Sequence, residues 1–306
     1  MKIVLANLPW NSFGKCGVRA GSRWPHLKGR TEKYYLPFPF FLAHTAALLK
    51  KNDFDVELID AIAEGKSYRA FVNDIRRLKP HILICETSTV TLVHDIKLLE
   101  KIKKEILDIF LVICGPDINI RQPSFLERYK FINAVFVGEY EFTTLDLASH
   151  LKKGKKLEDV QGLIYRDSNN VKVNLSRPLV NLDSLPWPLR DGLLMNRYND
   201  TPGDMPIPSA QMLASRGCPY KCKFCLWPQV MYQNNNYRTR NIIDVVDEME
   251  YLIKEIHFKS IYFDDDTFNI GKERMFKLCN EIKERKLDIP WAIMARADLM
   301  DKEVLE

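Results

Sequence analysis

Residues 211–225 read QMLASRGCPYKCKFC, an apolar stretch that runs directly into a loop with three cysteines. These cysteines, Cys218, Cys222 and Cys225, have C-x3-C-x2-C spacing. Three thiolates this close together on a short loop can hold one iron–sulfur cluster. Because no fourth cysteine is nearby in the sequence, one iron would keep an open position. The stretch therefore predicts a strand followed by a cluster that can bind a further molecule.

A structural zinc knuckle is the main alternative for this loop. Zinc in closed structural sites is almost always held by four ligands. The nearest further candidates are His257 and Cys279, and neither has the spacing of a ligand pair. The pattern favours a cluster over zinc.

The cysteine loop stands at the start of a βαβαβα pattern. Apolar segments typical of strands cover residues 211–215, 260–263 and 291–295, and amphipathic segments typical of helices cover 242–256 and 273–285, with another helix beginning at Lys302. This order predicts the opening of a β/α barrel. A full barrel needs about 200 residues or more, and about 100 follow residue 207. We therefore expect a fragment, a truncated product or a half-barrel that needs a partner.

The first 150 residues show a different alternation of strands and helices. Expected strands cover residues 2–7, 55–60, 81–86, 109–114 and 134–137, and expected helices cover 38–51, 68–79, 90–106 and 141–151. Residues 9–37 read as a long polar loop. Continuous apolar strands between amphipathic helices indicate a parallel sheet covered on both faces. We predict an α/β, doubly wound sheet of the flavodoxin or Rossmann type, which binds ligands beyond the carboxyl ends of its strands.

These patterns divide the chain into three expected parts. Residues 1–155 would form the doubly wound domain, 156–207 a hairpin and a proline-rich linker, and 208–306 the β/α core. The hairpin would pair residues 162–167 with 171–174. Asn169 and Asn170 are the residues expected to take positive φ in its turn.

The segment RGCPYKCKFC (216–225) resembles the cluster loop of the radical S-adenosylmethionine (radical SAM) superfamily. The resemblance implies a [4Fe-4S] cluster on Cys218, Cys222 and Cys225, whose open iron takes the amino and carboxylate groups of S-adenosyl-L-methionine (SAM). It also implies that the backbone of Phe224 lies against the adenine.

FDDDTF (263–268) resembles the second-strand motif of the radical SAM subgroup that carries an N-terminal cobalamin domain. By that resemblance, Asp264 and Asp265 line the SAM pocket. Two alternatives remain open beside it. Asp266 or Thr267 could simply cap a helix, and Arg296, after the third strand, could pair with the SAM carboxylate or form a surface salt bridge.

Arg238 and Arg240 precede the first helix of the β/α pattern. A solvated role and a functional role are equally open for both.

The expected loops at the carboxyl edge of the large sheet, together with SRWP (22–25), GPD (115–117) and GEYEFT (138–143), resemble the cobalamin-binding domain of that subgroup. The resemblance implies cobalamin contacts at Pro9, Ser88, Thr89, Gly115, Gly138 and Glu139. None of the six histidines has the D-x-H-x-x-G context that would supply a lower axial ligand, so the cobalt would lack it. Ordinary loops of a sheet domain are the alternative.

The resemblance implies an enzyme that reductively cleaves SAM and abstracts hydrogen from an unactivated carbon of a small molecule. Methylation from methylcobalamin would be the most frequent outcome, with cyclisation or rearrangement as variants. A reductase such as flavodoxin or ferredoxin would supply the electron.

Two other functions compete with this one. A methylthiotransferase would hold a second cluster, for which Cys16, Cys85 and Cys114 are candidates, although Cys85 and Cys114 lie in apolar strands where small buried thiols are common. The other alternative is a catalytically incomplete protein that only binds a cofactor or a partner.

Composition excludes several classes of function. The 306 residues are 46% hydrophobic and 28% charged with a formal net charge of +5, which is typical of a soluble globular protein. The basic run at 152–156 has no interleaved aromatics, so no nucleic-acid partner is expected. There is no apolar run of about 18 residues and no signal-peptide pattern. Seven scattered cysteines fit a reducing cytoplasm.

Overall fold

The computed structural model describes residues 1–12, 15–18, 26–29, 36–198, 200–232, 234–300 and 302–306. Within this part of the chain there are two parallel or mostly parallel sheets, of seven and three strands, and two small antiparallel sheets.

The strands, in chain order, are β1 (Lys2–Asn7), β2 (Asn11–Ser12), β3 (Lys15–Val18), β4 (His26–Gly29), β5 (Asp55–Asp60), β6 (Ile82–Glu86), β7 (Phe110–Cys114), β8 (Ala134–Phe136), β9 (Leu163–Asp167), β10 (Asn170–Val173), β11 (Ser209–Met212), β12 (Ser215–Arg216), β13 (Arg238–Thr239), β14 (Ser260–Phe263) and β15 (Trp291–Ile293). The α-helices are α1 (Phe40–Lys51), α2 (Tyr68–Leu78), α3 (Leu92–Glu105), α4 (Pro123–Arg128), α5 (Glu141–Lys152), α6 (Trp227–Val230), α7 (Ile242–Lys254), α8 (Lys272–Glu284) and α9 (Lys302–Leu305). Short 3₁₀ turns cover Asn119–Arg121, Leu182–Ser184, Met195–Arg197 and Ala297–Leu299.

The large sheet has the strand order β10-β9-β8-β7-β6-β1-β5. Its five parallel strands follow the flavodoxin-like order 2-1-3-4-5 when they are numbered among themselves. The register places Leu5 of β1 between Leu58 of β5 and Ile84 of β6. Every residue of β6 is buried, as expected for a strand covered on both faces.

Helices cover both faces of this sheet. One core contains Phe41 and Leu42 of α1 and Leu147 of α5, and the other contains residues of α2, α3 and α4 such as Phe71 and Leu99. The first core also takes in Trp227 and its neighbours from α6. The segment directly after the three cysteines is therefore packed against the large sheet. None of the described helices is long and apolar enough to cross a membrane.

The small parallel sheet has the order β11-β14-β15. Ser209 lies opposite Ser260, and Ile261 lies opposite Trp291. Met212, Phe263 and residues of α7 and α8 form its core. This is the βαβαβ order that the sequence predicted for residues 208–306.

Three details differ from the sequence prediction. The strand expected at 211–215 is interrupted, because the Ala214 N–H donates to the Asp265 carboxylate and the Ala214 carbonyl accepts from Arg240 N. The stretch expected to be a loop from residue 9 to 37 contains β2, β3 and β4. In the hairpin turn, the residue with positive φ is Ser168, at 54°, because Asn170 is already paired in β10.

The hairpin itself forms as predicted, within the segment expected to be hairpin and linker. Its first strand, β9, pairs antiparallel with β8, so the hairpin extends the large sheet.

Candidate metal and cofactor site

The cysteine loop is closed at its base by the strand pair β12–β13. Ser215 lies opposite Thr239, and Arg216 lies opposite Arg238. Gly217 follows with φ at 89°, and a Cβ atom built there would lie 2.2 Å from the carbonyl oxygen of Asn236. Only glycine fits this position, because both the left-handed backbone and the close approach exclude a side chain.

The three predicted ligand thiols lie together on this loop, and each is partly buried. Cys225 N donates to Cys222 O at 3.1 Å, and the Cys218 sulfur is 3.2 Å from Thr267 Oγ1. The pKa of Cys225 is raised, mainly by burial and further by negative charge on Asp266, Cys218 and Cys222.

The donor set fits a cluster held by three thiolates. No three His, Cys, Asp or Glu side chains of the described residues surround a point where one metal ion would bind. A four-iron cluster instead takes each thiolate on a different iron, so its three ligand sulfurs need not converge on one point.

The three aspartates after β14 support the cysteine loop from one side. Asp265 is fully buried and accepts hydrogen bonds from Ala214 N at 3.1 Å and from the Ser215 hydroxyl. Asp266 accepts from Gly217 N at 2.8 Å. Burial raises the pKa of Asp265 to about 6. The aspartates thus hold the chain on both sides of Arg216, while the lining of a SAM pocket by Asp264 and Asp265 stays a prediction.

The alternative that Asp266 or Thr267 caps a helix is wrong. The next helix, α8, begins at Lys272 and has Gly271 at its N-cap. The intervening residues form a loop, because Phe268 N donates to Met294 O and Asn269 bonds to the backbone of Arg296.

Arg296 lies against the cysteine loop. Its guanidinium is 3.7 Å from the ring centroid of Tyr220 and makes two hydrogen bonds of 2.9 Å to Asp298. The surface salt bridge that the sequence left open is therefore present, and pairing with a SAM carboxylate stays a prediction. Phe224 has a side chain that is 75% exposed.

The predicted cobalamin contacts follow neighbouring strands of the large sheet. Pro9 comes after β1, Ser88 and Thr89 after β6, Gly115 after β7, and Gly138 and Glu139 after β8. Parallel strands end at the same edge of a sheet, so these loops share one edge. Ser88 is buried and Thr89 is exposed. SRWP (22–25) lies outside the described residues.

Gly115 and the GEYE segment (138–141) have clear structural roles at that edge. A Cβ on Gly115, with φ at 110°, would lie 2.5 Å from Thr87 O. The Tyr140 hydroxyl donates to Glu86 at 2.9 Å. The close approach of Gly115 joins the loops after β6 and β7, which are neighbouring strands, and the Tyr140 hydrogen bond links the turn after β8 to the end of β6 across β7.

Sequence reasoning missed the partners of Glu139. This carboxylate is buried and accepts hydrogen bonds from Arg216, Arg238 and Val180 N, at 2.8–3.0 Å. Arg238 and Arg240, for which a solvated role was open, are both engaged in ion pairs. Two sequence features could have indicated these ion pairs. They are the Glu139-x-Glu141 pair, where a strand is followed by a helix, and Arg216 before the first cysteine of the loop.

Cys85 and Cys114 are fully buried, as the core interpretation predicted. Burial raises the pKa of Cys114 well above its usual range, which disfavours the thiolate that a cluster needs. The side chain of Cys16 lies outside the described part of the structure.

Several known proteins are similar to this chain. An uncharacterized methyltransferase of Pyrococcus horikoshii is 31% identical over 268 residues, which are 87% of this chain and 57% of that protein. The anaerobic magnesium-protoporphyrin IX monomethyl ester cyclase of Rubrivivax gelatinosus is 27% identical over 280 residues, covering 87% of this chain and 48% of the cyclase. The chain thus spans about half the length of the curated relatives it matches. No family model matches the chain.

Among solved structures, the cobalamin-dependent SAM radical enzyme OxsB, with aqua-cobalamin and SAM bound, superposes with a TM-score of 0.72. The match covers 97% of this chain and 39% of OxsB at 23% identity. At this identity the likeness shows a shared fold, which includes both the large sheet and the β/α segment.

Proposed function

The chain belongs to the family of radical SAM proteins that carry a cobalamin-binding domain, and on that premise we propose that it is a cobalamin-dependent radical SAM enzyme or a piece of one. One observation carries the proposal. Three partly buried cysteines with C-x3-C-x2-C spacing lie on one loop with a closed base, directly after the first strand of a parallel β/α sheet.

We propose that Cys218, Cys222 and Cys225 hold a [4Fe-4S] cluster and that residues 208–306 are the first part of a radical SAM barrel. Residues 1–155 would form the cobalamin-binding domain, with the hairpin and linker at 156–207. The loops after β1, β6, β7 and β8 support this assignment, since ligands of such sheets bind at the carboxyl edge. When bound, these groups supply a carbon-centred radical and a methyl group.

The chain's own residues would position and shield these groups. Asp265, Asp266 and the strand pair β12–β13 fix the base of the loop, and α6 packs its far end on the large sheet. SAM would lie near Phe224, Asp264 and Arg296. We propose a small-molecule substrate, methylated or rearranged at an unactivated carbon, and a flavodoxin or ferredoxin as electron donor.

Anaerobic reconstitution with iron, sulfide and hydroxocobalamin tests the proposal. After desalting we expect about four irons per chain and retained cobalamin absorbance. The Cys218→Ala/Cys222→Ala/Cys225→Ala variant should lose the iron, and Cys279→Ala, a matched cysteine outside the loop, should keep it. About eight irons would instead favour a methylthiotransferase with a second cluster. Loss of both cofactors by the wild-type chain would overturn the proposal.

A further inference from the structure

Arg216 is a buried cation directly before the cysteine loop. It is 1% exposed, and its guanidinium lies 4.5 Å from the ring centroid of Phe41. Its Nη1 donates to Glu139 at 3.0 Å and to Glu141 at 2.7 Å. Burial against the Phe41 ring and two carboxylates at Nη1 together restrict the orientation of this guanidinium.

Glu139 lies in the turn between β8 and α5, and Glu141 is the first residue of α5, both at the carboxyl edge of the large sheet. Glu139 also accepts two hydrogen bonds from Arg238, at 2.8 and 3.0 Å. Arg238 lies in β13 and Arg216 in β12, so Glu139 contacts both strands that close the base of the loop. We call Glu139, Glu141, Arg216 and Arg238 the base network.

The base network is balanced in charge, with two cations and two anions. Glu139, Glu141 and Arg216 are each at most 4% exposed. Removing one partner of such a pair leaves a buried charge without its counter-charge, which is strongly unfavourable. Apolar contacts are not directional, whereas these charge-assisted hydrogen bonds fix both the distance and the direction between the arginine and the carboxylate.

Very little chain separates this network from the first ligand. Only Gly217 lies between Arg216 and Cys218, and its N–H is itself held by Asp266 at 2.8 Å. If the β8–α5 turn moved, Arg216 would move with it. Because only Gly217 separates Arg216 from Cys218, the first ligand would move as well. The same turn contains Gly138 and Glu139, which we predict to be near cobalamin.

We propose that the base network positions the cysteine loop against the rim of the large sheet and thereby couples the cluster site to the cobalamin edge. Arg216 is the positioning residue, with Glu139 and Glu141 as its anchors. This inference rests on the proposed function, which identifies the two bound groups as a [4Fe-4S] cluster and cobalamin.

Arg190 offers a matched control. It is also buried, lies 4.5 Å from the ring centroid of Phe38, and donates to a carboxylate, Glu248, and to Gln211 O. It thus shares the burial, aromatic contact and ion pair of Arg216, and Phe38, Glu248 and Gln211 all lie outside the cysteine loop.

The test compares Arg216→Lys with Arg190→Lys by hydrogen–deuterium exchange of the full chain without cofactors. We expect amides of residues 217–226 to exchange about tenfold faster in Arg216→Lys and at the wild-type rate in Arg190→Lys. Equal exchange of this segment in the two variants would overturn the inference. Glu141→Gln, which leaves the Glu139 contact in place, serves if Arg216→Lys does not fold, and an unchanged loop in that variant would overturn it equally.

A spectroscopic readout follows on reconstituted protein. We expect the reduced cluster of Arg216→Lys to give a broadened electron paramagnetic resonance signal, and that of Arg190→Lys to match the wild type. A wild-type signal in Arg216→Lys would contradict a positioning role. Failure of the wild-type chain to take up iron would instead overturn the proposed function and leave the exchange comparison standing.

Discussion

The Asp265 carboxylate is fully buried, and both of its oxygens accept hydrogen bonds from the segment that leads into the cysteine loop. Neither donor is a cation, and burial raises the pKa of Asp265 by more than the nearby charge of Arg274 lowers it. Burial without full charge compensation favours the protonated acid, which is why the pKa of Asp265 rises to about 6. The free energy of unfolding of the chain therefore depends on pH through Asp265.

The sign of that dependence follows from proton linkage. Between the unfolded pKa of about 3.9 and the folded pKa of about 6, the folded chain binds more protons at Asp265 than the unfolded chain. Its contribution is thus most favourable at low pH and is lost as pH rises through 6.

We predict that Asp265→Asn removes this dependence. From pH 4.5 to pH 7.5, the free energy of unfolding of the wild type should fall by about 2 kcal/mol relative to the variant, since each pKa unit corresponds to about 1.4 kcal/mol and part of the shift lies below pH 4.5. Urea unfolding of both proteins at several pH values measures the difference. Parallel stability curves would contradict the prediction.

At the scale of elements, the closure of the cysteine loop depends on one glycine between β12 and the first cysteine. Gly217 combines positive φ with a carbonyl 2.2 Å from the position of a Cβ. Gly192 has a similar φ, at 81°, and nothing within 4 Å of that position. Alanine substitutions at Gly192 and Gly217 therefore distinguish the cost of the left-handed backbone from the cost of the steric clash.

We predict that Gly192→Ala costs about 1 kcal/mol of stability from the left-handed backbone alone. Gly217→Ala should cost about 2 kcal/mol more, because the methyl group forces the Asn236 backbone away. Urea unfolding of the two variants gives both values. Similar losses in the two variants would show that the loop accommodates the methyl group without strain.

Local patterns predicted most of the elements but not what joins them. The strand at 260–263 has the predicted bounds, because an apolar run there ends abruptly in three aspartates. The break at Ala214 was missed because it depends on Asp265, 51 residues away. Arg216 and Glu139 are 77 residues apart, and periodicity carries no information about such a pair.

The candidate site shows the same difference between residues that local sequence predicts and residues that only the fold brings in. The C-x3-C-x2-C spacing alone predicted the three thiols of the cysteine loop, because those residues are neighbours in sequence. The carboxylates that hold the base of the loop come from two other elements, so only the fold reveals them.

At the scale of the whole molecule, buried polar contacts join the large sheet and its helices to the segments that follow residue 190. The base network links the turn after β8 to the strand pair β12–β13. Phe38 N, directly before α1, donates to Gln211 Oε1 of β11 at 2.7 Å, and the Tyr198 hydroxyl, in the segment before β11, donates to Asp60 of β5 at 3.1 Å. Each pair contains a buried group that would lose its partner if these parts separated. Separation would therefore be costly even before either sheet unfolds.

We predict that the two sheets unfold as one cooperative unit. Native-state hydrogen exchange in low urea should give amides of β1 and β14 the same free energy of opening, because neither sheet is stable with these groups exposed. The double variant Glu139→Gln/Tyr198→Phe removes the charge and at least two accepted hydrogen bonds at Glu139 and the single hydrogen bond of the Tyr198 hydroxyl, with little change in side-chain size. It should lower the opening energy of β14 more than that of β1, since the three-stranded sheet has the smaller core of its own. If β14 opened well before β1 in the wild type, the contacts between the sheets would be too weak to make the cysteine loop depend on the large sheet.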